Sequence, residues 1–165
     1  MATTLAQLNA CPPDEFIASV GPVFERSPWI AAAVVSRRPF ASREALHAAM
    51  CGTVTTATAE QQLALIRAHP DLVGRAVLTA ESAHEQSAAG LMDLTPEDVA
   101  AFDRYNSAYM ARFGFPFVIC ARMNKKAAIL RAFPVRLAHE RDEEMATALG
   151  EIFQIAGLRL VDLLP

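Results

Sequence analysis

LTAESAHEQSAAGL, residues 78–91, has the length of a short helix but an unusual polar face. Positions i, i+3, i+4 and i+7 on one side of that helix are Ser82, Glu85, Gln86 and Ala89. A helix facing a core normally carries Leu, Ile or Val at this spacing. Here the spacing carries a hydroxyl, a carboxylate and a carboxamide, although 53% of the chain is hydrophobic. The pattern predicts a helix whose inner face binds a small ligand rich in hydrogen-bonding groups.

Helix signals continue on both sides of this segment. Thr58 and Gln61 form a predicted capping box for a helix that ends near Ala68. Thr95 and Pro96 open a long helix that Gly114 ends. One face of the long helix is mostly apolar and consists of Val99, Phe102, Asn106, Tyr109 and Phe113.

Three more helices follow from similar signals. Ser27 is predicted to cap a helix from Trp29 to Arg37, with Pro28 in its first turn. Ser42 is predicted to cap a helix that runs to about Met50. The last helix is predicted from about Asp142 to Leu163, with an inner stripe of Met145, Leu149, Ile152, Ala156 and Leu160.

Strand signals are confined to residues 117–120, which equally suit the start of a buried helix. The chain has no internal repeat, low-complexity tract or linker. We therefore predict an all-α fold in which residues 1–165 form one domain of roughly seven to nine helices.

Composition narrows the possible partners and compartments. The net charge is −3, from 15 basic and 18 acidic side chains, which argues against a nucleic-acid partner. No apolar run approaches the length of a membrane span, and no signal peptide is visible. The three widely spaced cysteines suit a reducing compartment. We expect a cytoplasmic protein that acts on a small molecule.

His69 is the first candidate catalytic residue. It lies where a helix should end, because Pro70 follows it. A histidine at this place can simply favour the negative end of the helix dipole. It can equally serve as a general acid or base, since its ordinary pKa lies near neutrality. Position alone leaves both interpretations open.

Glu85 and Arg159 are further candidates. A single Glu on a helix is usually solvated, but the neighbouring polar groups give Glu85 a possible role at a site. Arg159 lies beside the apolar stripe of the last helix. Its head can extend to solvent, or its planar fork can bind a carboxylate or a ureido carbonyl.

Other site types find little support. His47 and Cys51 share a helical face, but no further pair completes a zinc site, so we expect no metal. Cys120 lies in an apolar run and is expected to be a core residue rather than a nucleophile. The chain has no HExxH motif, GxSxG elbow, P-loop or GxGxxG.

Several segments together resemble the family of 2-oxo-4-hydroxy-4-carboxy-5-ureidoimidazoline (OHCU) decarboxylases of urate degradation. The resemblance covers nearly the whole chain, from Leu8-Asn9 to Leu158-Arg159-Leu160. Between them it includes FERSPW (24–29), RPF (38–40), AHPDL (68–72), residues 78–91 and FGFPFVICAR (113–122). Pro134 departs from the family pattern and is expected to shorten its helix.

The resemblance implies an all-helical, cofactor-free homodimeric enzyme that releases CO2 and forms S-allantoin. It places the catalytic roles on His69, Glu85 and Arg159. It places the substrate contacts on Pro70, Ser82, Ala83, His84, Glu85, Gln86, Phe117, Val118, Ile119, Cys120 and Ala121. The chain does not end in a Ser-Lys-Leu peroxisomal signal, which fits a cytoplasmic form.

A catalytically silent helical module, used for dimerisation or ligand sensing, is the alternative, because a fold does not by itself imply activity. All three candidate catalytic positions carry the side chains that the family chemistry needs. This favours the enzyme.

Overall fold

The chain is all-α, as the sequence predicted. A computed structural model describes residues 3–74 and 78–165, and these residues contain nine α-helices and no β-strand. The helices are α1 Leu5–Ala10, α2 Pro13–Val20, α3 Trp29–Val34, α4 Arg43–Thr55, α5 Ala59–Arg67, α6 Ala80–Ala88, α7 Pro96–Phe113, α8 Lys126–Leu137 and α9 Arg141–Leu163. Three 3₁₀ turns are Gly21–Val23, Val35–Arg37 and Ala121–Met123. None of the helices in the described ranges is long and apolar enough to cross a bilayer.

The chain divides into two units by its internal contacts. The first unit is Met1–Ala68 with Phe153–Pro165, and the second is His69–Ile152. In the first unit, α3 packs against α2 and α4 around buried Ile30 and Leu46. In the second unit, α7 packs against α8, and the rings of Phe117 and Phe133 stack 3.8 Å apart.

The predicted helix starts are largely confirmed. Thr58 with Gln61 and Thr95 with Asp98 form capping boxes, and the Ser42 hydroxyl accepts a hydrogen bond from the Ala45 N–H. α4 continues to Thr55, beyond the expected end at Met50. These local hydrogen bonds are strong signals because each satisfies a backbone N–H that has no partner inside the helix.

The predicted cap at Ser27 is wrong. The Ser27 hydroxyl donates to the Glu25 carbonyl at 2.8 Å and caps no helix. The helix starts at Trp29 and tightens into the 3₁₀ turn Val35–Arg37 at its end. Side-chain bonds to nearby backbone compete with capping, and here the competing bond forms.

Two other expectations need correction. Pro134 does not shorten α8, which continues to Leu137. The proline lies in the last turn, where it removes one helical N–H without preventing the turn from closing. Val99, expected on the mostly apolar face of α7, is exposed in the first turn of that helix.

The buried stripe of α9 is shifted from the predicted one. Glu144 is fully buried, whereas Met145 and Leu149 are only half-buried. Ile152, Ala156 and Leu160 are buried as predicted. A hydrophobicity pattern cannot assign a carboxylate to the interior, because an unpaired buried charge is very costly.

Glu144 is paired within the second unit. Its Oε1 accepts hydrogen bonds from the Tyr109 hydroxyl at 2.5 Å and the Arg136 Nε at 2.6 Å. Its Oε2 lies 2.8 Å from the His139 Nδ1. Arg136 also donates to the Val118 carbonyl at 2.5 Å. Burial and the Glu144 carboxylate raise the pKa of Tyr109 well above its usual range.

Replacement of Glu144 by alanine should strongly destabilise the protein. The substitution leaves the Arg136 guanidinium buried without its carboxylate, which costs about 3–5 kcal/mol. Glu143→Ala is the matched control, because Glu143 is the adjacent residue and its side chain is 60% exposed. Urea unfolding should show the large loss for Glu144→Ala and almost none for Glu143→Ala. Equal losses would contradict the stabilising role of this buried cluster.

Candidate functional site

The predicted polar face of α6 is buried. The side chains of Ser82, Glu85 and Gln86 are each less than one tenth exposed, and Ala89 is buried beside them. Thr79 caps the helix by accepting a hydrogen bond from the Ser82 N–H. The i, i+3, i+4, i+7 spacing therefore gave the correct inner face. The roles of Ser82, Glu85 and Gln86 in catalysis or binding stay predictions.

The other two residues of the predicted contact segment on α6 differ from these three. Ala83 is half-buried and His84 is exposed. Because successive residues on a helix point in different directions, a run of five residues cannot place every side chain on one face. Of the five, Ser82, Glu85 and Gln86 share the buried face.

His69 lies at the start of the second unit, just after α5 ends at Arg67. Its side chain is buried, with 8% exposure. Burial of an imidazole is compatible with both interpretations left open by the sequence. Burial also raises the pKa of Asp71, two residues further on. The loop that starts at His69 is therefore partly shielded from water.

A backbone hydrogen bond joins this loop to α6. The Val73 N–H donates to the Gln86 Oε1 at 3.2 Å. Val73 has a φ of 58°, in the left-handed region that a β-branched residue rarely adopts. Strained backbone of this kind persists only where surrounding contacts hold it, and it is common at functional sites.

Residues 117–121 form neither of the two structures left open by the sequence. Residues 117–120 belong to no helix or strand, the backbone of Cys120 is extended, and Ala121 opens a 3₁₀ turn. All five are buried. The backbone is held by side chains: Glu151 Oε2 accepts from the Cys120 N–H at 2.9 Å, and Arg136 donates to the Val118 carbonyl.

Glu85 lies near this buried segment. α6 packs against the 3₁₀ turn Ala121–Met123. Burial raises the pKa of the Cys120 thiol, and the negative charges of Glu151 and Glu85 raise it further. A raised pKa keeps the thiol protonated and weakly nucleophilic. Cys120 is therefore a buried core residue, as expected, and it lies within the electrostatic reach of Glu85.

Arg159 belongs to the first unit, and its head does not extend to solvent. Its side chain is only 5% exposed. Arg159 Nη2 donates to Glu25 Oε2 at 2.8 Å, and Nη1 donates to the Pro22 carbonyl at 3.2 Å. The guanidinium is thus oriented by a buried carboxylate and a backbone oxygen. The alternative in which the head extends to solvent is therefore wrong, and binding of a substrate group by the fork stays a prediction.

The weak candidates find ordinary structural explanations. His47 Nε2 lies 2.8 Å from the Phe153 carbonyl and 3.4 Å from the Cys51 sulfur. Burial raises the pKa of Cys51 to about 11. Among the residues that the structure describes, no three His, Cys, Asp or Glu side chains converge as metal ligands would.

Three polar residues that bond a candidate residue or a candidate segment escaped the sequence analysis. Glu25 pairs with Arg159, Glu151 holds the Cys120 amide, and Asn106 Nδ2 donates to the Leu72 carbonyl at 2.8 Å. Asn106 alone gave a signal, because it interrupts an apolar face. Glu25 and Glu151 look like ordinary charged residues until their partners in the fold are known.

The fold and these groups define a class of protein: an all-helical one in which imidazole, carboxylate and guanidinium groups are buried and oriented. Residues 9–161 match the family model described as OHCU decarboxylase. The decarboxylase of Halalkalicoccus jeotgali is 41% identical over 97% of this chain and 91% of its own. The mouse (Mus musculus) enzyme is 40% identical over 97% of this chain and 92% of its own.

Solved structures give the same result. A crystal structure of (S)-allantoin synthase matches with a TM-score of 0.81 and 28% identity. The match covers 98% of this chain and 54% of the synthase chain. An OHCU decarboxylase structure determined in the presence of (S)-allantoin has a TM-score of 0.70 and 25% identity, covering 91% of this chain and 96% of the other. The chain therefore belongs to the OHCU decarboxylase family. It is an enzyme, a carboxy-lyase that decarboxylates OHCU in urate degradation.

Conversion of Arg159 to lysine should remove most of the activity. A lysine retains the charge but not the planar fork that contacts both Glu25 and Pro22. We expect kcat of Arg159→Lys to fall nearly as far as that of Arg159→Ala. Arg43→Lys is the control, since Arg43 also donates to a backbone carbonyl, that of Leu164, but is partly exposed. Full activity in Arg159→Lys would contradict a role for the fork.

Proposed function

We propose that this chain converts OHCU to (S)-allantoin and CO2 without a cofactor. The proposed catalytic residues are His69, Glu85 and Arg159. The proposed substrate contacts are Pro70, the segment 82–86 and the segment 117–121. The observation that carries the proposal is the buried polar face of α6, which places a hydroxyl, a carboxylate and a carboxamide where packing alone would require apolar side chains.

The substrate itself supplies the electron sink. One ring carbon carries the carboxylate and a hydroxyl, and the adjacent carbon forms a C=N bond. When the C–CO2 bond breaks, its electron pair forms a C=C bond, and the C=N pair moves to nitrogen, which takes a proton. The hydroxyl then loses its proton as a carbonyl forms, and the adjacent carbon is protonated. The enzyme must orient the ring and deliver that proton to one face.

His69 is the proposed proton-transfer group. An imidazole both accepts and donates a proton near neutral pH, so one residue can serve the hydroxyl and the carbon in turn. Its burial shields the reacting atoms from water, which would otherwise protonate either face. Glu85 is proposed to accept the hydrogen bond of the substrate hydroxyl, and Arg159 to stabilise the negative charge on oxygen.

Gln86 is proposed to bind the ureido group. Its Oε1 accepts the Val73 N–H, which fixes the orientation of the side-chain amide. The Nε2 end, with its two N–H donors, is then the end that can meet an acceptor such as the ureido carbonyl. This arrangement supports positioning of the ureido group rather than a proton transfer.

We also propose that residues 1–165 act as a single functional domain, that two copies form a homodimer, and that the enzyme works in the cytoplasm. These proposals rest on the family resemblance. Exposed methionines in the second unit, Met92 and Met123, are compatible with a protein contact.

Addition of the purified chain to freshly produced OHCU should give optically active allantoin. Urate oxidase and hydroxyisourate hydrolase generate the substrate from urate, and circular dichroism follows the chiral product. A metal chelator should leave the rate unchanged. Racemic allantoin at the spontaneous rate would contradict the proposed function and would favour a catalytically silent helical module.

His69→Ala should lose most of the rate while the protein remains folded. Proton transfer by a positioned side chain contributes roughly a hundred- to ten-thousand-fold to the rate. His47→Ala removes an imidazole that bonds only a backbone carbonyl and a thiol in the described structure, so it should retain kcat. Steady-state kinetics and thermal melts on both variants measure the difference. A near-normal kcat in His69→Ala would return this residue to a structural role.

A further inference from the structure

Asn106 is out of place on the inner face of α7. Its neighbours at the helical spacing, Phe102 and Tyr109, are fully buried. Asn106 itself is half-buried, and an amide removed from water even in part must form hydrogen bonds, because burying it without a partner is costly. Its Nδ2 donates to the Leu72 carbonyl at 2.8 Å.

The same peptide group is bonded at its other end. The Leu72 carbonyl and the Val73 N–H belong to one peptide plane, and the Val73 N–H donates to Gln86 Oε1. Two side-chain amides, from α7 and α6, therefore hold one peptide from opposite sides. Together they fix the orientation of its plane, which a single hydrogen bond would leave free to rotate.

This peptide needs such restraint. Val73 has a φ of 58°, in the left-handed region, where a β-branched residue is strained. No regular helix runs from Ala68 to Gly74, so the backbone there depends on side chains and turns for its hydrogen bonds. The Gly74 N–H donates to the Asp71 carbonyl at 3.2 Å, which closes a turn within this segment.

We propose that Asn106 is a positioning residue for catalysis, which holds the 72–73 peptide and thereby the loop that carries His69. The inference rests on the proposed function of His69. Only Pro70 and Asp71 separate His69 from Leu72, and the proline ring fixes one of the intervening backbone angles. A rotation of the 72–73 peptide is therefore transmitted to the imidazole. Asn106 itself touches no reacting atom.

The test compares three substitutions of Asn106 with one control. Asn106→Asp retains the shape of the side chain but loses its N–H donors. Asn106→Leu also loses the donors but retains most of the volume, and Asn106→Ala removes the donors and the volume. The control is Asn9→Ala, because Asn9 also holds backbone, through two 2.9 Å bonds with Phe40, in a segment that contains no candidate site residue. Asn9→Ala should lose stability but retain kcat.

The expected kinetic result is a loss of kcat with little change in KM. A displacement of about 1 Å at a reacting group can cost a hundredfold in rate, so we expect kcat to fall about 100-fold in all three Asn106 variants. Combination with Gln86→Ala should be less than additive in kcat, since both amides hold one peptide. A loss of thermal stability with kcat retained, as in Asn9→Ala, would overturn the proposal.

Amide hydrogen exchange gives a readout that does not depend on activity. In Asn106→Ala the Val73 N–H should exchange about tenfold faster, as expected from the loss of one restraining hydrogen bond. An unchanged exchange rate of the Val73 N–H would overturn the proposal that Asn106 holds the 72–73 peptide. A different outcome is faster exchange in Asn106→Ala while the wild-type chain fails to accelerate OHCU decarboxylation. That outcome would refute the proposed function and, with it, a catalytic role for Asn106. These results separate the two failures.

Discussion

Polar side chains buried on a helix face are the constraint on which the rest of the second unit depends. A carboxylate or amide removed from water must form hydrogen bonds, because its desolvation otherwise destabilises the fold. α6 buries Ser82, Glu85 and Gln86 together, and the loop after His69 supplies a backbone partner for Gln86. A face of leucines would pack at lower cost. The polar face therefore supports the proposed ligand-binding role of α6.

Irregular backbone around this face is held by side chains from regular helices. Residues 69–74 and 117–120 form no helix or strand that could satisfy their N–H and C=O groups. Asn106 of α7 bonds the first segment, and Arg136 of α8 with Glu151 of α9 bonds the second. The Arg136–Glu144 pair is itself buried and connects to Tyr109 and His139. Functional loops thus gain their positions from rigid elements.

Local sequence signals predicted the helix ends and the inner face of α6. The buried charge pairs join residues far apart in the sequence and left no such signal. Capping boxes at Thr58 and Thr95, the αL residue Gly114 and the face of α6 all depend on residues within one or two helical turns. Buried charges depend on distant partners: Glu144 needs Tyr109 and Arg136, and Glu25 needs Arg159. No periodicity reveals such pairs, so Glu144 was missed and the stripe of α9 was misplaced. His69 and Glu85 were singled out because residue chemistry and family resemblance agreed, and their catalytic roles stay predictions.

A crystal structure of this chain with (S)-allantoin bound tests the central claim most directly. The claim is that the buried polar face of α6 binds the ureido compound and lies beside the His69 loop. It predicts that the ligand contacts Glu85 and Gln86, with the ureido oxygen within hydrogen-bond distance of Gln86 Nε2 and the ring beside His69. Allantoin bound elsewhere, with these side chains still bonded only to protein, would contradict it.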